Sequence, residues 1–309
     1  MLVLALVACS IIRPAAAQSD ASAHPDFEGI WNSATATPLE RPAKLKDKEF
    51  FTPEEAAESE RQAAARRQEP TAEVRAKTFG SYNSVFYETG TKLFKTLRTS
   101  IITDPPDGRL PALTPAAAAE KSRRVALLTH AQVPAELGLQ DRCMVFPTAV
   151  APMIPYIYNS NYQIIQTGHE VMINVEMIHD TRIIRLDRQS HLPSTVRLWL
   201  GDSVGHWEGN TLVVDTTNFN DGAGFFGDAG GMFGSDRNLR VVERFSLLDA
   251  NTILYRFEVD DPTAFTKPWK GELTMARSPG PIFEYACHEG NYALPNLLNG
   301  FRVERLPGQ

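Results

Sequence analysis

The half of the chain that begins near Tyr158 is cut into short apolar stretches at nearly regular intervals, with breaks only two or three residues long. The breaks are turn-forming: Thr167-Gly168-His169, His179-Asp180, Glu208-Gly209-Asn210, Asp249-Ala250-Asn251 and Ser278-Pro279-Gly280. This texture predicts strands near 161–167, 170–177, 180–186, 196–200, 211–217, 239–247, 252–260, 269–277 and 281–288. Consecutive strands with hairpin turns and no helices between them imply a mainly β protein, an antiparallel meander closed as a barrel or folded as a sandwich. Period-two alternation supports the strands. Val171, Ile173, Val175 and Met177 share one face and Glu170, Asn174 and Glu176 the other; Ile253, Tyr255, Phe257 and Val259 oppose Arg256, Glu258 and Asp260. In 282–289, Phe283, Tyr285 and Cys287 share a face, and Glu284 and His288 lie opposite.

Residues 18–150 read differently, rich in Pro, Ala and charge, and are expected to form an arm with two or three helices packed on a barrel at 151–309. One helix starts where Thr52 can cap, Pro53 takes the first helical position and Glu55 completes a capping box; a second starts at Thr114-Pro115. Asp104-Pro105-Pro106-Asp107-Gly108 is a tight loop between them. Residues 1–17 read as a signal peptide, with an apolar run over Leu2–Ile12 and small residues at Ala15 and Ala17 before the expected mature start near Gln18. Leu6-Val7-Ala8-Cys9 offers the competing lipoprotein reading, anchored at Cys9. Either way the expected location is periplasmic or secreted.

No later stretch reaches the length of a membrane span. The chain has 31 Lys plus Arg against 37 Asp plus Glu, a net charge of −6, with the basic residues dispersed; nucleic acid is therefore not an expected partner. In an oxidising compartment Cys143 and Cys287 read as a disulfide, with two separate buried thiols as the alternative. Residues 218–238, rich in Gly and Phe, read either as a loop over a pocket or as a loop tucked onto the barrel surface.

Several constellations bear on chemistry. Gly201-Asp202-Ser203-Val204-Gly205 fits G-x-S-x-G, but the following HWEGNTLVVDTTNF is a turn and a strand, whereas a nucleophile elbow needs a helix there; a Gly-rich hairpin connection is the better reading. No dinucleotide fingerprint, phosphate loop or haem-attachment motif is present, so no cofactor is predicted, and no two of the seven histidines have H-x-H or H-x-x-x-H spacing. A divalent metal remains an option if His179, Asp180, His288 and Glu289 converge from separate strands. General acid–base chemistry fits the polar strand face: Glu284 and His288, four apart on one strand and roughly 13 Å from each other by strand rise, with Glu176 and Arg256, supply a base, an acid and an orienting cation if that face lines the lumen. If it faces solvent, they are ordinary surface charges. Asn174, His179, Glu258, Asn218, Trp269, Asn291 and Tyr292 are the accompanying substrate-binding candidates, and Trp199, Trp207 and Trp269 could wall a sugar ring or an apolar ligand.

The strings DFEGIWN, TPLERPAKLKDKEFFTPEEA, DPPDGRLPALTP, YNSNYQIIQT, EMIHDTRIIRLD, WLGDSVGHWEGNTLVVDTTNFND, VVERF, DPTAFTKPW and YACHEGNY are similar to those of an exported protein family of environmental bacteria, from about Asp26 to Arg305. The resemblance brings no substrate and no catalytic residue. Gly29-Ile30-Trp31 resembles the G-x-W first-strand signature of lipocalins, which implies a lipocalin-like barrel. Two functions follow as expectations. One is an exported lyase, isomerase or hydrolase acting on a small organic molecule or glycoside, with His288 as proton-transfer group, Glu176 or Glu284 as its carboxylate and Arg256 as cation. The other is a non-catalytic carrier of an apolar ligand. No oligomeric state is expected in particular.

Overall fold

The computed structural model describes residues 24–67 apart from 46, 90–156 apart from 129 and 147, 159–220 and 237–303. The expected signal peptide, Cys9 and most of the 218–238 loop lie outside the described residues.

Ten strands form one sheet: β1 (Gly29–Asn32), β2 (Ile102–Asp104), β3 (Asn161–Gln166), β4 (Glu170–Val175), β5 (Thr181–Arg185), β6 (Asp202–Glu208), β7 (Thr211–Thr217), β8 (Arg240–Asp249), β9 (Thr252–Asp260) and β10 (Trp269–Ser278). Nine of them close a barrel in the order β1-β3-β4-β5-β6-β7-β8-β9-β10, and β10 returns to β1 with Trp31 opposite Arg277. β2 lies outside the closed ring, against the start of β10. The expected mainly β, lipocalin-like barrel with a helix-bearing arm is the fold found. Among the described residues three helices accompany it: α1 (Pro53–Arg67), α2 (Pro115–Leu128) and α3 (Ala293–Val303). The first two start as their caps predict. Thr52 N–H donates to Glu55 Oε2 at 2.8 Å and Glu55 N–H to Thr52 Oγ1 at 3.3 Å, while Ala117 N–H reaches Thr114 Oγ1 at 3.2 Å. No helix among the described residues is long and apolar enough to cross a membrane.

Two expected strands are absent, for physical reasons. Residues 281–288 join no strand ladder, because β10 already bonds to β9, β1 and β2 and offers them no free edge. Residues 196–200 contribute one bridge, Leu198 to Phe219, and the strand lies instead at 202–208, in what had read as a connection. The meander also has one parallel step. Ile184 pairs with Ser203 and Arg185 with Val204, so residues 186–201 must run back along the outer wall before β6 begins.

Strand directions then fix two unlike ends. The hairpins β3–β4, β6–β7 and β8–β9 close one end with turns at 167–169, 209–210 and 250–251. The other end receives the β4–β5 turn, the start of β6, and both ends of the 218–238 connection between β7 and β8. Long connections gathered at one end are where barrels place their chemistry.

The core is continuous from barrel to arm. Trp31, Tyr162, Phe245, Tyr255 and Trp269 are almost wholly buried, as are Phe94, Ile101 and Ile102 from the arm and Phe146, Ala149, Val150 and Met153 from the segment that precedes β3. That last segment reaches the lumen, where Met153 N–H donates to Tyr255 Oη at 3.1 Å. Fully burying a large apolar side chain contributes about 2–3 kcal/mol, so these residues dominate stability. Cys143, at the start of the same segment, is disulfide-bonded to Cys287 across 144 residues.

Candidate active site

Inside the barrel the expected greasy face holds two charges. Arg182 on β5 is in phase with Ile184, and Glu243 on β8 with Val241 and Phe245, so both point inward from strands three places apart. They meet in a bidentate pair at 2.9 Å for each contact. Tyr255 donates to Glu243 Oε1 at 2.7 Å, and Thr216, itself paired with Ser203 at 2.9 Å, reaches Glu243 Oε2 at 3.4 Å. Burial pushes the Tyr162 hydroxyl up to about 12 and that of Tyr255 well above its ordinary value, the latter with Glu243 acting in the same direction. The Arg182 guanidinium is held above its ordinary range: burial opposes the charge, and Glu243 with the two tyrosines more than offsets it. Ser203, the serine of G-x-S-x-G, is buried in the wall on β6 and followed by β7, so no nucleophile elbow exists.

The sequence-predicted polar face is the outer one. Arg256 Nε donates to Glu272 at 2.7 Å on a half-exposed surface shared with Arg98 of the arm, and Glu258 pairs with Lys270 at 3.0 Å. Asn174 accepts from Thr181 at 3.1 Å, also on the outer face of β4. Glu284, His288, Glu289 and Tyr292 are exposed on the unpaired C-terminal segment, and Asn291 Nδ2 donates to Cys143 Sγ at 3.3 Å. Trp269 is wholly buried against Phe257 and Phe265, a core residue with no exposed face to offer a ligand. Glu176 is buried and employed: Oε2 accepts from Asn161 at 2.8 Å and Oε1 from the Phe283 N–H at 3.0 Å, tying the C-terminal segment to the β4–β5 turn. These residues are not brought together. Among the described residues no three His, Cys, Asp or Glu side chains gather as metal ligands, so His179, Asp180, His288 and Glu289 do not form one centre.

The β4–β5 turn is nonetheless unusual. Ile178 and His179 both take left-handed backbone conformations, with φ of 60° and 50°, which β-branched and other non-glycine residues avoid. Next to them, burial raises the Asp180 carboxyl to about 6, against a smaller opposite effect of His179, and Asp180 Oδ2 is buried without a hydrogen-bond partner.

The grouping best suited to chemistry lies under the return segment 186–201. β6 opens on Asp202, whose carboxylate is buried, and the neighbouring strand places Asp215 on the same outer face. His191 sits between them, one quarter exposed: Nδ1 is 3.0 Å from Asp202 Oδ2 and Nε2 is 3.6 Å from Asp215 Oδ2. Asp202 is fixed from two further directions, by the Leu192 N–H at 2.9 Å and by an ion pair with Arg185. Asp215 is gripped by both arms of Arg240, at 2.9 and 2.7 Å. Burial works against its charge, but Arg240 and then His191 prevail and hold its carboxyl below the usual range. Because a carboxylate only accepts, the Asp202 contact places a proton on Nδ1, and Nε2 lies on the side of Asp215.

His191 was beyond sequence reasoning because its partners lie 11 and 24 residues away and meet it only through the pairing of β6 with β7. Arg182 and Glu243 had a readable signal: opposite charges standing in phase with apolar neighbours on two strands. The chain matches no protein-family model and no curated protein.

Proposed function

We propose that the protein is an exported enzyme that acts on a small organic molecule by general acid–base chemistry, with His191 as the proton-transfer group. The observation that carries this reading is a partly exposed imidazole whose Nδ1 is held by a buried, fully bonded carboxylate while Nε2 lies 3.6 Å from a second one. In such a dyad the carboxylate sets the tautomer and stabilises the imidazolium formed when Nε2 removes a proton; the same proton is returned to the product or leaving group. Export is supported by the leader-like residues 1–17 and by the disulfide, which belongs to oxidising compartments. A carrier of apolar cargo fits less well. The interior holds bulky, nearly inaccessible side chains and a charge pair, and a barrel of about eight strands is just wide enough to be filled by side chains.

The test is depletion from a mixed library of glycosides, lactones and terpenoids by the mature protein, beside His191→Gln and Asp202→Asn. One compound should disappear with the wild type, with the rate reduced about 10²–10⁴-fold in His191→Gln. A rate that survives His191→Gln unchanged would remove the proposal.

A further inference from the structure

We infer that the His191 site takes an uncharged, ring-bearing substrate seated on a wall formed by Val196, Leu198 and Trp199. This rests on the proposed role of His191 and adds the substrate class. Three large apolar side chains within four residues are 38–41 % exposed there, whereas the other tryptophans are buried or stacked: Trp31 and Trp269 are inaccessible, and Trp207 lies against His24 at 4.5 Å. Asn218 ties the stretch that carries these side chains to the residue that follows His191. Its Nδ2 donates to Leu192 O at 2.9 Å, one residue from His191, and its backbone oxygen accepts the Leu198 N–H at 2.9 Å, one residue from Trp199. Asn218, buried at φ 58°, thus clasps both ends of the 192–198 loop.

The charges around the site argue that the substrate carries none. Arg185 is committed to Asp202, Arg240 to both oxygens of Asp215, and Arg197 is turned onto the Phe219 and Arg237 carbonyls at 3.1 and 2.8 Å. An anion arriving here could engage Arg185, Arg240 or Arg197 only by breaking one of these contacts, and would meet Asp215 at 30 % exposure. A neutral ring stacked on the flat, half-open indole of Trp199 meets no such cost and can turn one hydroxyl or acidic C–H toward Nε2.

Saturation-transfer NMR on the full mature chain decides it, using aryl glycosides, lactones and terpenoids, each paired with a carboxylate or phosphate bearing the same ring. Neutral members should receive saturation from the wild type and lose it in Trp199→Ala, and Trp199→Phe should restore it. Where a compound is turned over, Trp199→Ala should raise KM roughly tenfold with kcat within about twofold, and His191→Gln should do the reverse. Equal binding of the charged partners, or binding and KM indifferent to Trp199→Ala, would overturn the inference while leaving a His191-dependent activity standing. Trp199-dependent binding with no turnover of any compound would instead sink the enzymatic reading and keep the wall.

Discussion

Arg182 and Glu243 stand where the strand pattern calls for Leu or Val, and each is tolerable only because of the other. Removing one partner of a buried pair costs about 3–5 kcal/mol because it strands the remaining charge, whereas an apolar replacement of both is often neutral. Glu243→Gln should therefore lower stability by about 3 kcal/mol or more in urea unfolding, and Arg182→Met combined with Glu243→Leu should recover most of that loss. A double variant no better than the single would mean that the Tyr255 and Thr216 bonds to Glu243, and not the charge pair, hold the interior. Asp180 presents the opposite case, an acid with no bonded partner at its buried oxygen. Its folded pKa of about 6 lies above the ordinary 3.8, so the folded state binds the proton more tightly. The resulting stability is fully present below pH 3.8 and is lost as pH rises through 6. Asp180→Asn, a mimic of the neutral form, should match wild type near pH 4 and exceed it near pH 8 by about 2 kcal/mol, less than the full shift implies because the carboxyl is partly solvated. Unfolding curves at both pH values check the crossover.

At the scale of elements, the β4–β5 turn bends through two consecutive left-handed residues without a glycine. A left-handed non-glycine residue costs about 1–2 kcal/mol, partly offset by the extra entropy glycine loses on folding. Since His179 is exposed, His179→Gly should raise stability by about 0.5–1 kcal/mol, measurable as a higher urea midpoint. A lower midpoint would show that the imidazole makes a contact worth more than the strain. The elements themselves were largely legible in the sequence. β4 and β9 alternate with period two, and α1 and α2 begin on capping residues whose side chains make the expected bonds. The failures share one cause. Residues 281–288 alternate like a strand, but alternation reports only a half-buried face and says nothing about whether a neighbouring edge is free; closure of β10 on β1 leaves none. Placing Glu284 and His288 on that supposed strand is what brought them into the sequence-predicted site. Conversely, the His191 grouping depends on a parallel β5–β6 step, and no local pattern announces that a chain will double back along its own wall.

For the whole molecule, the disulfide joins two segments that lie outside the strand ladders. Cys143 begins the segment that runs into the lumen as far as Met153, and Cys287 lies in the C-terminal segment that Glu176 anchors through the Phe283 N–H. Around the bridge, Phe146 packs edge-on against both Tyr156 and Tyr285. A crosslink spanning 144 residues removes enough freedom from the unfolded chain to contribute about 5 kcal/mol in the loop-entropy model, a large share of the stability of a domain this size. Its effect on the folded state is more local, because the strand ladders do not pass through either cysteine. Replacing both cysteines by serine should therefore give two separable results. Global urea unfolding should shift down by several kcal/mol, while native-state hydrogen exchange should show faster opening confined to residues 143–154 and 281–303, with β3, β4 and β9 still protected. If the amides of those strands opened together with the C-terminal segment, the two segments would be part of the barrel's own cooperative unit, and the bridge would not be acting as a separate fastener outside the strand ladders.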